Sequence, residues 1–91
     1  MKLIVHAGHW QPSNKLELEI LAAIQPVIEE YLVTLAIIRS RQRRRFFATA
    51  RQACMRAARQ KTNASLAELD RFFNRTHGTV AYAVRKFRTQ N

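Results

Sequence analysis

The sequence predicts an all-α fold, a small helical bundle, on three observations. Only two glycines and two prolines interrupt 91 residues, whereas strand-and-turn architectures need many more such breakers. Alanine, leucine and arginine, all good helix formers, are abundant in a composition that is 47% hydrophobic. Apolar residues recur at helical rather than alternating spacing along most of the chain. A chain this short buries one modest core, so a single helical domain is expected over residues 15–91, after an irregular lead-in over 1–14.

The lead-in carries Leu3, Ile4 and Val5, then His6, Gly8, His9, Trp10 and Pro12, with Ser13 and Asn14 as turn or capping residues. From 16 to 24, Leu16, Ile20, Leu21 and Ile24 form the stripe of an amphipathic helix. Pro26 suits a first helical turn, where its missing N–H is not needed. A second helix is therefore expected to start there, with Glu29 and Glu30 near its positive end, and to run through Tyr31, Leu32, Leu35 and Ile38. This apolar first third is expected to pack on the rest of the chain or on another copy of itself. Five arginines then crowd the seven positions 39–45, a density that makes either a solvated linker or a phosphate-contacting surface.

Over 48–61, Ala50, Ala53, Cys54, Ala57 and Ala58 make a narrow stripe of small residues, with Arg51, Arg56 and Arg59 outside it. Thr62, Asn63 and Ala64 break the pattern. Ser65 and Glu68 then have capping-box spacing, opening a short helix that buries Leu66, Leu69 and Phe72 or Phe73. Asn74 and Arg75 form a turn, and Thr76 is expected to cap the last helix. That helix should bury Val80, Ala83, Val84 and Phe87 and turn Gly78, Thr79, Tyr82, Arg85 and Lys86 outward. Two short helices joined by a tight turn, the second of them basic, have helix-turn-helix grammar, placed here at about 65–88.

Charge points the same way. The formal net charge is +10 and unevenly spread: residues 1–38 hold two lysines against four glutamates, and the rest hold 14 Lys or Arg against Glu68 and Asp70. Self-repulsion of that size is offset by a polyanionic partner, nucleic acid ahead of an anionic membrane. Twelve of the 16 cations are arginine, whose planar donor set fits phosphate and guanine. A lone cysteine, Cys54, allows no internal disulfide and reads as a small apolar helix-face residue in a reducing compartment. The longest uncharged apolar stretch, 31–38, is far below the ~20 residues of a membrane span, and the N-terminus lacks a secretory h-region. A cytoplasmic, nucleoid-associated protein with no membrane partner is expected.

The residues also resemble a known family. Arg51, Gln52, Met55, Thr62, Asn63, Ser65, Leu66, Glu68, Leu69 and Phe73 reproduce in order the opening of the signature of the C-terminal DNA-binding domain of the bacterial replication initiator DnaA. Arg75, His77, Thr79, Val80, Ala83, Arg85 and Lys86 reproduce its end. Ile24, Gln25, Ile28, Glu30 and Tyr31 are similar to the family's opening helix, so the resemblance covers about residues 24–88. It implies a helix-turn-helix related to that of the Trp repressor. It further implies that Thr76, His77, Gly78 and Thr79 stand where the family reads bases in the major groove. Arginines in the basic segment would reach the minor groove or phosphates. Arg41, Arg43, Arg44, Arg45, Arg51, Arg75, Arg85 and Lys86 are therefore assigned to phosphate or minor-groove contact. The match has departures. Thr76 replaces the family's aspartate, Gly78 replaces its first threonine, and the turn is one residue shorter, which leaves the target site open.

No phosphate-binding glycine loop exists in this sequence, so no ATPase or nucleotide cofactor is expected. His6 and His9 lack the further ligands of a metal site, and no nucleophile sits beside a histidine in a catalytic motif, so neither a metal nor an enzyme activity is expected. The expected function is sequence-specific binding of double-stranded DNA in replication or transcription control. Two alternatives remain open: an adaptor or decoy binding a protein partner, or a homodimer, through residues 16–38, and a non-specific nucleic-acid binder driven by charge.

Overall fold

The structure, a computed structural model, describes residues 11–76 and 78–89, with side chains up to residue 85. His6, His9 and the other lead-in residues before Gln11, the side chains of Lys86 and Phe87, and all of His77 lie outside the described residues. The described residues form five helices and no strand: α1 (Lys15–Tyr31), α2 (Leu35–Arg39), α3 (Arg45–Lys61), α4 (Leu66–Phe72) and α5 (Thr79–Thr89). None of the helices is long and apolar enough to cross a membrane.

Asn14 starts α1, its side chain accepting from the Glu17 N–H at 2.9 Å, while the Glu17 carboxylate accepts from the Ser13 N–H at 2.7 Å. One orphan donor at that end of the helix is thus satisfied. The helix then buries Ile20, Ala23, Ile24 and Ile28 on a single face. It does not restart at Pro26, as the sequence led us to expect, but continues through it to Tyr31. Pro26 and Ala22 are both exposed, so the Ala22 carbonyl that loses its intrahelical N–H partner lies on the wet side. The unbroken apolar stripe keeps the helix in place.

Nor does this helix run on to Ile38. Leu32 is left-handed, at φ 56°, and the N–H groups of Leu32 and Val33 turn back to the carbonyls of Glu29 (3.3 Å) and Ile28 (3.2 Å). This is a Schellman-type stop with leucine where glycine is usual. Val33 is buried beside Ile28 while Leu32 is 90% exposed. Thr34 then caps the separate α2, accepting from the Ile37 N–H at 3.2 Å, and the change of direction carries Ile38 into the core.

α3 is the central helix, touched by each of the other four. It starts three residues earlier than the sequence suggested, so Arg45, Phe46 and Phe47 stand on its first turn. Ala50, Ala53, Cys54, Met55 and Ala58 are buried, with Ala57 half-buried. Small residues there let α1 approach closely, and α1 against α3 is the broadest helix contact. The first third of the chain thus packs on the rest of the same molecule. Burial pushes the Cys54 thiol up to about 12, so it remains protonated and inert.

The capping box forms: the Glu68 N–H donates to the Ser65 hydroxyl at 3.1 Å, and the Ser65 N–H to the Glu68 carboxylate at 2.8 Å. α4 presents Leu69 and Phe72 inward, and Phe73 just beyond it is fully buried, edge-on to Phe72 at 5.1 Å. Asn74, left-handed at φ 58°, repeats the stop seen after α1, with the Arg75 N–H reaching the Asp70 carbonyl at 2.8 Å. α5 buries Val80 and Ala83 against this base, leaving Tyr82 and Arg85 exposed.

Candidate nucleic-acid interface

The dense arginine segment is divided by the fold into three parts. Arg39 ends α2, residues 41–44 form a loop, and Arg45 opens α3. Arg41, Arg43, Arg44 and Arg45 are all exposed. Loops rich in like charge ordinarily splay, yet this one is fixed from beneath. Arg51 is only 6% exposed. Its Nε donates to the Ile38 carbonyl at 2.9 Å, and its Nη2 donates to the carbonyls of Gln42 (3.0 Å), Ile37 (3.3 Å) and Ser40 (3.4 Å). Arg51, assigned from the sequence to phosphate contact, is thus placed beneath the loop with its donors on the main chain. Its guanidinium is spent on main-chain carbonyls at the end of α2 and in the loop.

The same loop is tied to the helix-turn-helix. Arg75 donates through Nη2 to the Ser40 carbonyl at 2.6 Å and through Nη1 to the carbonyls of Phe73 (3.2 Å) and Asn74 (3.1 Å). In exchange, Arg39 Nε donates to the Phe72 carbonyl at 2.7 Å and Asn74 Nδ2 to the Arg39 carbonyl at 3.3 Å. Arg75, also expected on phosphate, is half-buried and joins turn to loop. Burial holds the guanidinium pKa of Arg39, Arg51 and Arg75 below the ordinary arginine value. For Arg75, the positive charges of Arg51 and Arg41 act in the same direction. All three stay charged, since arginine starts so high.

The start of α5 differs from expectation as well. Thr76 does not cap it; the helix begins at Thr79. The preceding Gly78 adopts φ 91°, a conformation open to glycine at little cost. Two N–H groups at the start of α5 go to Asp70 on α4 instead: its Oδ2 accepts from the Gly78 N–H at 3.1 Å and its Oδ1 from the Val80 N–H at 2.9 Å. Thr76 is exposed and contributes its carbonyl, which accepts from the Thr79 N–H at 3.3 Å.

Two shallow clefts result, side by side. Arg41, Gln42, Arg43, Ala48, Arg51 and Arg75 line a space of about 300 Å³. Ala48, Arg51, Gln52, Met55, Arg75, Thr79, Tyr82 and Ala83 line one of about 90 Å³. Ala48, Arg51 and Arg75 belong to both, so loop, α3 and the start of α5 share one concave surface. Four guanidiniums and no carboxylate line it, and such a surface attracts anions. Residues 21–87 match the family described as the bacterial DnaA protein helix-turn-helix. The chain belongs to that family. No solved structure matches it. The DnaA helix-turn-helix is a DNA-binding domain, which accounts for an anion-attracting surface that meets the first turn of the last helix.

Of the residues singled out from the sequence, Thr79 and Gly78 lie half-buried at the α5 start, Thr76 beside them is exposed, and Arg85 stands exposed further along α5. Arg41 and Arg43 line the larger cleft, with Arg44 and Arg45 exposed in the same basic segment. His77 and the Lys86 side chain lie outside the described residues. Sequence reasoning missed Asp70, the cross-ties of Arg39 and Asn74, and the place of Gln52 and Tyr82 in the smaller cleft. For Asp70 a signal existed. It is one of only two acids after residue 38, and the capping box accounts for the other.

Proposed function

We propose that this member of the DnaA helix-turn-helix family binds double-stranded DNA sequence-specifically and controls replication or transcription in the nucleoid by occupying its site. One observation carries the reading: the arginine-lined cleft and the first turn of α5 are parts of one surface, joined through Ala48, Arg51 and Arg75. Backbone positioning and base reading can then occur together. In this reading Arg41, Arg43, Arg44 and Arg45 meet phosphates or the minor groove, with Arg85 and Lys86 on phosphates further along. Thr76, His77 and Thr79 read base edges, threonine by hydroxyl or by its methyl group against thymine. Gly78 offers no side chain, so it admits close approach of the backbone rather than reading a base.

Selection of bound sequences from a random duplex library tests this. A consensus should emerge that binds at least about 10³-fold tighter than random duplex at physiological salt. Equal competition by random duplex would make the protein a charge-driven binder. Absence of duplex binding would turn attention to a protein partner for the exposed Leu18, Leu32 and Phe46.

A further inference from the structure

We infer that Asp70 is the positioning residue of the reading helix, setting the angle of α5 from α4 and so freeing Thr76 from the capping role. This rests on the DNA-reading function proposed above. Asp70 is 6% exposed, and a buried carboxylate needs hydrogen-bond partners. It finds them in the Gly78 and Val80 N–H groups, one to each oxygen. A cap within its own segment fixes only where a helix begins. Here the acceptor belongs to the preceding helix, so both bonds also fix how α5 lies on α4. The backbone enters through Gly78 at φ 91°, a bend that aims its N–H toward α4.

Two consequences follow for recognition. The Gly78 and Val80 N–H groups are occupied by Asp70, and the carboxylate offsets the positive end of the helix dipole. The end of α5 is therefore a poor phosphate clamp, and its contribution to binding lies in reading by side chains. Thr76, exposed just before it, has no capping duty to compete with a base contact.

The test compares wild type with Asp70→Asn, which keeps size and one acceptor but removes the charge and opposes one N–H with an amide NH₂. The second variant combines Asp70→Asn with Thr76→Asp, offering α5 a carboxylate from its own turn. Amide exchange at Gly78 and Val80 should speed up in Asp70→Asn while the Glu68 amide, held by Ser65, stays protected. Preference for the selected duplex over random duplex should fall about tenfold or more, with affinity for random duplex little changed. The double variant should regain part of the Val80 protection. Unchanged exchange at Gly78 and Val80, or unchanged preference despite faster exchange, would overturn the inference. If Asp70→Asn fails to fold, Asp70→Ser, shorter but still an acceptor, carries the same comparison. Should wild type itself prefer no sequence, the DNA-reading proposal fails, whereas the exchange data still decide whether Asp70 ties α5 to α4.

Discussion

At the scale of single residues, arginines that look alike in the sequence divide by what they touch. Arg51→Met should destabilise the fold by about 2–3 kcal/mol, since it strips a charged donor from one buried and several half-buried carbonyls. Arg43→Ala, at an exposed position, should leave the unfolding midpoint within about 0.5 kcal/mol of wild type. It should weaken every duplex alike, lowering the salt slope by about one. Denaturant titration beside binding at several salt concentrations separates the two. Gly78→Thr meets open space, with nothing within 4 Å of an added Cβ. The obstacle is the backbone: φ 91° disfavours a β-branched residue, so a loss of about 1–2 kcal/mol is expected by calorimetry. Gly78→Asn should lose less, because asparagine tolerates positive φ. At the α4 cap, the Ser65 N–H and hydroxyl hold the Glu68 carboxyl below its ordinary pKa. A depressed folded pKa gives stability that is present above the unfolded value, about 4.3, and lost as pH falls through the folded one. Ser65→Ala should lower stability at pH 7 by about 1 kcal/mol and lessen this acid-side decline only in part, since the backbone N–H at 65 remains.

At the scale of elements, α1 contains an internal test. Pro26→Ala would return an N–H to the Ala22 carbonyl at an exposed position, and stability should rise by about 1–3 kcal/mol. A fall would mean that Pro26 contributes more by restricting the unfolded chain than it removes from the helix. The same helix marks how far the sequence could be read. Periodicity placed Ile20, Ile24, Val80 and Ala83 in the core, because a stripe is local information, and the capping box placed the start of α4 to the residue. Pro26 misled because its local preference lost to the packing of the stripe on α3. Leu32 concealed the end of α1, since leucine gives no warning of a left-handed stop. Thr76 had capping chemistry, but its rival Asp70 lies six residues earlier and reaches α5 only across the turn. Charge density showed where an anion would be met. It did not show that Arg51 and Arg75 would turn inward, because that depended on where the fold sets the carbonyls of the α2 end and the loop.

At the scale of the whole molecule, every helix leans on α3, so α1 or α5 cannot detach without uncovering it. Local openings that expose the middle of α3 should therefore be as rare as complete unfolding. The chain carries its own gauge of that event. Cys54 is the single cysteine, fully buried at the middle of α3, with its thiol held protonated by burial. A disulfide reagent can reach it only after the bundle has come apart. At low reagent concentration, with opening and closing fast relative to capture, its rate divided by that of an unfolded cysteine gives the fraction of molecules open at any moment. Added duplex DNA should slow the reaction in proportion to the occupancy of its site. One unmodified sulfur atom thus turns ligand binding into a chemical half-life, readable with no label on either the protein or the DNA.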